Sequence, residues 1–557
     1  MIQDITAAKA QFRMDEPLKF EVCLDSDFSS SDQVCIQVYH LGHLCFRQEK
    51  TAEGRLPFQY RRPPSGSVAM EGFWVQAAQV RGGRIISRKS TACDRAQTWK
   101  EAPRYGFLSD FSRKDGEDDR DVRQMNRYHL NIIQFYDWMY HHHDFFPPQN
   151  DFQDIMGKQL SLTTIRQKIS LLHQYGMKAF AYGAVYGAEE EYQKEHPEES
   201  LYDGTGKPMR FIDRIYYMDI NRNCGWRDHI IGEYKKAIRF GFDGIHMDQY
   251  GFPKEAFSRQ NGTFAVRCLR DDFPDLINDT KSAVPGGVIF NSVNNWPTDA
   301  VAKANQDCIY IEVWPPNDTY SDLNRLVSDA KKYAPEKQVI LAAYLHPFAE
   351  CSHPEEIMAT AFLAMATIFS SGGFHLLLGE DNGLLTQAYY SDYCQLENAE
   401  FISLLKSYYD FITAYEELLF DHSLIDDTRT HTGGINDDYL FAGAEFSTLP
   451  ETGCVWTQVK HTKEYRVIQL VNFVGIGSMN WNSPQRKFPD PIQNIKVDAQ
   501  IAEEVTKVRL MSPDLDGGKS KRLDFSDCIR ENGCRSIQFT IPELKVWNVI
   551  SIQVKTI

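Results

Sequence analysis

The stretch Gly241-Phe-Asp-Gly-Ile-His-Met-Asp-Gln-Tyr-Gly251 contains the short strand that decides the fold. Its apolar residues Ile245 and Met247 alternate with His246 and Asp248, so the two pairs face opposite sides of a strand. The residues before it have the period of a helix, and this helix is predicted to end at the first glycine of the stretch. A helix followed by a short strand that ends in a carboxylate is typical of repeated βα units in a parallel sheet.

The same pattern recurs through residues 101–420, where short apolar runs alternate with stretches of helical period. Eight such units predict one (β/α)8 (TIM) barrel. The predicted strands are Gly106–Phe111, Asn131–Tyr136, Met177–Tyr182, Gly244–Met247, Gly287–Asn291, Ile309–Val313, Gln338–Tyr344 and Phe374–Leu378. The clearest helices are Thr163–Tyr175, which starts at a capping threonine, Trp226–Phe240 and Pro354–Ser370.

Alternating strand-like runs flank the barrel on both sides. Residues 1–100, with Phe20-Glu-Val-Cys-Leu24, predict an N-terminal immunoglobulin-like β-sandwich. Residues 421–557, with Tyr465-Arg-Val-Ile-Gln-Leu-Val-Asn-Phe473, predict a C-terminal all-β domain of Greek-key type, a second β-sandwich. The predicted fold class is therefore a multidomain α/β protein with three domains, at 1–100, 101–420 and 421–557.

Composition excludes several classes of protein. The net charge of −16 over 557 residues opposes phosphate binding, so no nucleic-acid partner is expected. No apolar run of about eighteen residues is present, so no membrane partner is expected. The N-terminus lacks a basic start followed by an apolar stretch, which predicts a cytoplasmic protein, or a secreted one if the chain begins after a cleaved signal. The twelve cysteines form no CxxC pair, which disfavours zinc and a disulfide framework. We expect a monomer or a simple homo-oligomer.

Barrel enzymes place their chemistry at the carboxyl ends of the strands. Acids, amides and aromatic rings meet at this predicted rim, which suits a pyranose: acids for the chemistry, amides for hydroxyl groups and rings for stacking. For any single residue, a structural role such as a strand-end hydrogen bond is the alternative. The candidates for substrate binding are Asp110, Tyr136, Asp137, Trp138, Tyr182, His246, Gln249, Asn291, Asn294, Trp296, Trp314, Tyr344, His346, Glu380, Asp381 and Asn382.

Motifs for other chemistries are absent from the sequence. There is no HExxH, DxDxDG, GxSxG, P-loop or GxGxxG after a strand, so metal, serine-hydrolase and nucleotide chemistry have no starting point. We therefore expect no metal and no cofactor.

Glycoside cleavage requires two carboxyl groups, and Asp248 and Glu312 are the catalytic candidates. Glu312 lies in the apolar run Cys308-Ile-Tyr-Ile-Glu-Val-Trp-Pro-Pro316, and an unpaired buried carboxylate costs several kcal/mol. Apolar surroundings are expected to raise the pKa of Glu312, as a proton donor requires. With hydrogen-bond donors such as Gln249 or Tyr250, Asp248 is expected to stay ionised as a nucleophile.

Four motifs resemble those of glycoside hydrolase family 66, the bacterial dextranases and cycloisomaltooligosaccharide glucanotransferases. They are Tyr105-Gly-Phe-Leu-Ser-Asp-Phe111, Asn131-Ile-Ile-Gln-Phe-Tyr-Asp-Trp-Met-Tyr140, Phe242-Asp-Gly-Ile-His-Met-Asp-Gln249 and Tyr310-Ile-Glu-Val-Trp314. The resemblance spans nearly the whole chain. It implies that Asp248, on the fourth strand, is the nucleophile and that Glu312, on the sixth, is the acid/base. It also implies that Asp137 holds hydroxyl groups of the sugar that is cleaved, and that the substrate is an α-1,6-glucan.

One departure from the family bears on the reaction. The glucanotransferases carry a large carbohydrate-binding insertion after the seventh strand, whereas here His346-Pro-Phe-Ala-Glu-Cys-Ser-His-Pro354 leads directly to a helix. We therefore expect a retaining, endo-acting dextranase that cleaves dextran or isomaltooligosaccharides, and the missing signal favours imported isomaltooligosaccharides. Two alternatives remain: a transglycosylase that forms (cyclo)isomaltooligosaccharides, and a non-catalytic glucan-binding homologue.

Overall fold

Eight parallel strands form the centre of the molecule. The computed structural model describes residues 1–63, 68–260, 263–432 and 436–555. The strands are β1 (Tyr105–Leu108), β2 (Ile132–Phe135), β3 (Lys178–Ala184), β4 (Gly244–Asp248), β5 (Gly287–Val293), β6 (Cys308–Glu312), β7 (Val339–Ala342) and β8 (Phe374–His375). Each pairs with its neighbour in the sequence, and a bridge between Phe107 and Gly379 brings the two edges together. The predicted (β/α)8 barrel is confirmed as a nearly closed barrel of eight parallel strands.

A helix follows every barrel strand. The helices are α1 (Arg120–Arg127), α2 (Leu162–Gln174), α3 (Gly225–Phe240), α4 (Leu269–Ala283), α5 (Thr298–Val301), α6 (Tyr320–Tyr333), α7 (Met358–Ser370) and α8 (Ala399–Ala414). The prediction that Thr163 caps α2 was wrong. The N-cap is Ser161, and Thr163 lies in the first turn, where its backbone N–H and hydroxyl group both donate to the side-chain oxygen of Asn150.

Two sheets with a shared apolar core precede the barrel. One contains Ile2–Ala7, Leu18–Leu24 and Arg55–Tyr60, and the other contains Phe12–Arg13, Arg84–Ala96, Met70–Arg81, Gln33–His40 and His43–Thr51 in spatial order. Inward residues such as Phe20, Val22, Ile36 and Phe73 fill the space between them. The predicted β-structure is present, and its immunoglobulin-like type stays a prediction.

Two further sheets follow the barrel. The larger one consists of Ile425–Asp426, Val455–His461, Tyr465–Asn472, Trp547–Val554, Val505–Met511 and Lys521–Leu523, with Phe446–Ser447 beside Val455–His461. The smaller one consists of Tyr439–Ala442, Ile492–Gln500, Arg535–Leu544 and Phe525–Ile529. They enclose a second apolar cluster that includes Ile468, Ile495 and Ile550. Its Greek-key type likewise stays a prediction.

The connections at the carboxyl end of the barrel carry extra β-structure. Asp151–Gln153 pairs with Gln159–Ser161 after β2, and Arg210–Phe211 pairs with Ile215–Tyr217, which also pairs with Gly187–Ala188, after β3. Leu201–Tyr202 joins the hairpin Glu255–Gln260 and Thr263–Cys268, and Gly383–Leu384 pairs with Cys394–Gln395. The remaining helical segments are Glu190–Glu195, Glu416–Leu419 and Thr428–His431, with 3-10 turns at Trp99–Glu101, Arg113–Gly116, Pro197–Glu199, His346–Phe348, Pro354–Ile357, Glu380–Asn382 and Asp516–Gly518.

The main apolar core runs through all three parts of the chain. It joins Trp74 of the N-terminal sheets, the barrel interior and Trp547 of the C-terminal sheets. The indole N–H of Trp74 also donates to the carbonyl oxygen of Gly517 at 2.9 Å. The barrel therefore shares its apolar core with both sets of sheets, and these also contact each other. Within the described ranges, no helix is long and apolar enough to cross a membrane.

Candidate active site

One amide joins two carboxylates at the carboxyl end of the barrel. Asp248 ends β4, Glu312 ends β6, and Asn291 lies on β5 between them. The Nδ2 atom of Asn291 donates to Oδ1 of Asp248 at 2.7 Å and to Oε2 of Glu312 at 2.8 Å. These two oxygens are therefore at most 5.5 Å apart, the sum of the two bonds.

Asp248 receives its second hydrogen bond from β3. The hydroxyl group of Tyr182 donates to Oδ2 of Asp248 at 2.7 Å. Burial raises the pKa of Asp248, and the bonds from Asn291 and Tyr182 work in the opposite direction because they stabilise the ionised form. Of the two predicted donors, Gln249 contributes through its backbone, whose hydrogen bond also lowers the pKa of Asp248. Its side chain instead donates to the backbone carbonyl groups of Asn291 and Trp296, each at 3.2 Å. Among the described residues no hydrogen bond joins Tyr250 to Asp248, so that part of the prediction was wrong.

The surroundings of Glu312 favour its protonated form. Burial raises its pKa, and the negative charge of Asp248 raises it further. Hydrogen bonds from Asn291, Trp314 and Tyr344 lower it in part. The expectation of a raised pKa for Glu312 is confirmed in direction. The pair thus provides an ionisable carboxylate on β4 beside a carboxyl group on β6 that favours its protonated form.

The two acids lie in a cleft of about 740 Å³. Most of the residues predicted at the rim line it, and the lining is mainly aromatic, amide and acidic. Those that the structure brings together are Tyr136, Asp137, Tyr182, His246, Asp248, Gln249, Asn291, Asn294, Trp296, Glu312, Trp314 and Tyr344. A wide aromatic cleft with a few polar groups at its centre is typical of a ligand site.

Asp137 presents a carboxylate without a hydrogen-bond donor among the described residues. It follows β2, lines the cleft and has a left-handed backbone, with φ of 44°. Burial, with a smaller contribution from the charge of Asp154, raises its pKa to about 7. A carboxylate left without a partner in a cleft has free acceptor capacity for a ligand that brings its own donors.

No metal centre was predicted from the sequence. Within the described residues, the group whose geometry could hold an ion is His196, Glu198 and Glu199, in the connection between β3 and α3. None of the three lines the cleft.

Comparison with known proteins supplies the family. The profile of Glycosyl hydrolase family 66 matches residues 8–551, nearly the whole chain. The chain belongs to glycosyl hydrolase family 66. Membership of this family supports glycosidase activity.

Three relatives illustrate the range of this family. The chain is 22% identical over 707 residues to a cycloisomaltooligosaccharide glucanotransferase of Niallia circulans, covering 99% of this chain and 71% of that protein. It is 26% identical over 554 residues to a dextranase of Streptococcus salivarius, covering 86% of this chain and 66% of that protein. The solved structure of a Paenibacillus sp. cycloisomaltooligosaccharide glucanotransferase complexed with cycloisomaltoheptaose has a TM-score of 0.87 at 20% identity, covering 99% of both chains. The last likeness shows a shared fold.

Six predicted substrate contacts do not line the cleft of this family-66 chain. Trp138 is buried behind β3, where its indole N–H donates to the carbonyl oxygen of Tyr182 at 3.1 Å. His346 is exposed, and its ring centroid lies 5.9 Å from that of Trp314. Asp110 forms an ion pair of 2.9 Å with Lys158. These places favour structural or peripheral roles for the three residues.

The other three, Glu380, Asp381 and Asn382, close the barrel between β8 and β1. Glu380 is buried and accepts hydrogen bonds from the backbone and hydroxyl group of Ser109. Asn382 accepts a bond of 2.8 Å from the Tyr128 hydroxyl group, and Asp381 lies 3.6 Å from Arg120. Their polar groups are thus engaged within the protein.

Several residues of irregular connections line the cleft and were not predicted from the sequence. Tyr390, after β8, stacks on Tyr136 with ring centroids 4.5 Å apart, and its hydroxyl group lies 3.0 Å from that of Tyr310 and 3.3 Å from that of Tyr344. Phe211 and Lys254 also line the cleft. The paired tyrosines of the run Ala388-Tyr-Tyr390 were an available signal, because adjacent aromatic residues in a polar loop at a barrel rim suit a sugar site.

Proposed function

We propose that the chain is a retaining, endo-acting α-1,6-glucan hydrolase that cleaves dextran or isomaltooligosaccharides. The observation that carries the mechanism is the amide of Asn291 shared by Asp248 and Glu312, which limits their bonded oxygens to a separation of 5.5 Å. Retaining enzymes hold their carboxyl groups about 5–5.5 Å apart, whereas inverting enzymes leave about 6.5–9.5 Å for a water molecule. The substrate class comes from the names of the relatives, a dextranase and a cycloisomaltooligosaccharide glucanotransferase.

In the first step, Asp248 attacks the anomeric carbon of the glucosyl unit. The bond from that carbon to the glycosidic oxygen breaks, and Glu312 gives its proton to this oxygen. The product is a glucosyl ester of Asp248, and the shortened glucan leaves. Because the ester no longer carries the negative charge of Asp248, the ionised form of Glu312 becomes easier to reach.

In the second step, Glu312 takes a proton from water as the water oxygen attacks the anomeric carbon. The ester bond breaks, Asp248 regains its charge, and the sugar leaves with the α configuration of the substrate. We assign Asp137 to hydroxyl groups of the attacked unit, because its carboxylate has acceptor capacity and no donor among the described residues. The aromatic lining, including Tyr136, Trp296 and Trp314, would stack on the sugar rings.

The test uses Asp248→Asn and Glu312→Gln with dextran and isomaltooligosaccharides as substrates. We expect each variant to lose at least about 10³-fold in kcat/KM, because each removes a group that reacts. The matched controls Asp524→Asn and Glu531→Gln change exposed carboxylates of the C-terminal sheets and should keep full activity. Proton NMR of wild-type hydrolysis should show the α anomer first. Early β anomer, or full activity in either active-site variant, would refute the proposal.

A transglycosylase is the second candidate, because two of the three relatives described above are glucanotransferases. It differs only in the acceptor, which is a sugar hydroxyl group in place of water. Product analysis at high isomaltooligosaccharide concentration separates the two: hydrolysis gives shorter products alone, and transfer adds longer or cyclic ones. A non-catalytic glucan-binding homologue is disfavoured because both acids are present and share one amide. Binding of dextran without turnover at any pH would restore it.

A further inference from the structure

Two hairpins from separate connections meet at one side of the cleft. The first, Asp151–Gln153 with Gln159–Ser161, follows β2, and the second, Arg210–Phe211 with Ile215–Tyr217, follows β3. The guanidinium group of Arg214 donates to the carbonyl oxygen of Ile155 at 2.8 Å, which joins the two turns. The turn residues Ile155, Met156, Phe211, Ile212 and Ile215 all line the cleft. We call these five residues the lip.

The lip leaves large apolar side chains in water. Met156 is 45% exposed and Ile212 is 53% exposed. Single exposed apolar residues are common, but here they are grouped and line a cleft with catalytic candidates. A grouped apolar surface at the wall of a cleft is expected to be covered by a ligand.

The backbone of the second turn is strained where it meets the cleft. Ile212 has φ of 48° and Asp213 has φ of 58°, both in the left-handed region. Aspartate tolerates this region, but a β-branched residue such as isoleucine rarely adopts it. Such strain persists where surrounding structure enforces it, and it concentrates at functional sites. A glycine at position 212 would adopt this backbone without strain. The presence of isoleucine there therefore suggests that its side chain has a function.

The lip is connected to the strand of the proposed nucleophile. The ring of Phe211 stacks on that of Tyr250 with centroids 4.3 Å apart and an angle of 16° between the planes. Tyr250 lies two positions after Asp248. In the barrel, β2 and β3 lie on the opposite side of β4 from β5 and β6. Since Glu312 on β6 protonates the leaving oxygen, the lip flanks the side away from the leaving group.

We propose that the lip binds glucosyl units on the nonreducing side of the cleaved bond and thereby sets the chain length of α-1,6-glucan that the enzyme prefers. The inference rests on the proposed function. Each α-1,6 link adds a methylene group to the apolar faces of the sugar rings, and such faces pack on aromatic and aliphatic side chains. The exposed side chains of Met156 and Ile212 would be covered by the bound chain.

The test varies the glycone while the leaving group stays constant. The substrates are the 4-nitrophenyl α-glycosides of glucose, isomaltose and isomaltotriose. We expect wild-type kcat/KM to rise with each added unit. Ile212→Ser should lose about 10-fold of that gain, the size expected when one partly buried isoleucine contact is removed. Arg214→Gln removes the bond that joins the two turns and should also reduce the gain. The loss should be smallest with the glucoside, because it has no glucosyl unit beyond the one that is attacked. The control Ile85→Ser, at an isoleucine that is 48% exposed and does not line the cleft, should keep the full gain.

A second variant separates a binding role from a structural one. Ile212→Gly relieves the left-handed strain, so its thermal unfolding midpoint should equal or exceed that of the wild type while the gain from longer glycones is lost. If the Ile212 side chain had only a structural role, the exchange to glycine would lower the unfolding midpoint as well as the gain from longer glycones.

Three outcomes overturn the proposal. Equal losses on all three glycosides would place the lip at the cleaved unit, and losses only with unmodified isomaltooligosaccharides would place it on the reducing side. A wild-type enzyme that cleaves none of the α-1,6-linked substrates would refute both the proposed function and the proposed role of the lip. The first two outcomes leave the proposed function intact.

Discussion

At the scale of single residues, Asn291 occupies an unusual position. Both hydrogens of its amide serve carboxylates, while its Oδ1 atom is buried and has no partner in the described part of the chain. A buried acceptor without a partner costs about 1–3 kcal/mol. The position of the amide therefore satisfies Asp248 and Glu312 but leaves its own oxygen without a hydrogen bond.

The exchange Asn291→Leu tests this placement through the pH profile. The amide stabilises the ionised form of both acids, so its loss should raise both pKa values. Activity requires Asp248 ionised and Glu312 protonated, so the acid limb and the basic limb should both move to higher pH. We expect kcat to fall about 10²-fold, as after loss of one well-placed donor. The exposed Asn532→Leu is the control. A slower enzyme with unmoved limbs would show that Asn291 does not tune the pair.

Asp137 is expected to lower the stability of the folded protein while it contributes to hydrolysis. Its pKa of about 7 in the folded protein lies above the ordinary value of 3.8, so the native state binds the extra proton between these values. Stability therefore falls as pH rises through this window. Asp137→Asn should raise the free energy of unfolding by about 1–2 kcal/mol at pH 8, after allowance for partial exposure, and should change little at pH 4. Hydrolysis should drop. Urea denaturation at both pH values checks this, and an equal gain at pH 4 contradicts it.

At the scale of elements, the barrel strands and their connections differ in what the sequence reveals. All eight predicted strands overlap observed ones, because strands covered on both faces appear as short apolar runs. The register between strands has no such local signature. The side-chain donors of Asp248 are Tyr182 on β3 and Asn291 on β5. The sequence predicted adjacent residues as donors, and of these Gln249 contributes only through its backbone.

The irregular connections were the least predictable elements. Tyr390 and Phe211 reach the cleft through loops whose course depends on contacts between segments far apart in the chain. Trp138 shows the opposite error, since it sits beside Asp137 in sequence but points into the core. Candidate residues at strand ends were therefore predicted well, and those in loops poorly, because a loop has no periodicity that fixes the direction of its side chains.

Lys158 ties three of these connections together. From the hairpin after β2, its Nζ atom donates to the carbonyl oxygen of Ser109 at 2.6 Å, to Asp110 at 2.9 Å and to the Ser391 hydroxyl group at 2.8 Å. Ser391 directly follows Tyr390, which lines the cleft. The lysine thus fixes the loop after β8 against the loop after β1.

Lys158→Met should loosen this corner of the cleft. We expect faster amide exchange in residues 388–393 and a rise in KM of about 10-fold, because one charge-assisted bond contributes about 1.5–3 kcal/mol and part of it positions Tyr390. The value of kcat should change less, since no reacting group is touched. Lys235→Met, at an exposed lysine on α3, is the matched control. Unchanged exchange in the loop after β8 would show that the contacts of Lys158 do not hold it.

At the scale of the whole molecule, one buried cation joins the N-terminal sheets to the beginning and the end of the barrel region. Arg104, just before β1, pairs with Asp94 of the N-terminal sheets at 2.8 Å and with Glu416 of the short helix after α8 at 3.2 Å. All three side chains are buried. Burial and the charge of Asp94 raise the pKa of Glu416 well above its ordinary value, and Arg104 opposes this shift. Together with the continuous apolar core, this network predicts that the N-terminal sheets and the barrel unfold together.

Arg104→Met should therefore destabilise the N-terminal sheets and the barrel together. It leaves two acids buried without their cation, which costs about 3–5 kcal/mol. The stability of Arg104→Lys should lie between that of this variant and that of the wild type, because an ammonium group keeps the charge but lacks the forked guanidinium that reaches both acids. Arg84→Met, at an exposed arginine in the N-terminal sheets, should be neutral. Urea unfolding followed by tryptophan fluorescence and by circular dichroism should give coincident transitions that shift together. Two separate transitions, with only the first one shifted, would show that the N-terminal sheets fold independently of the barrel.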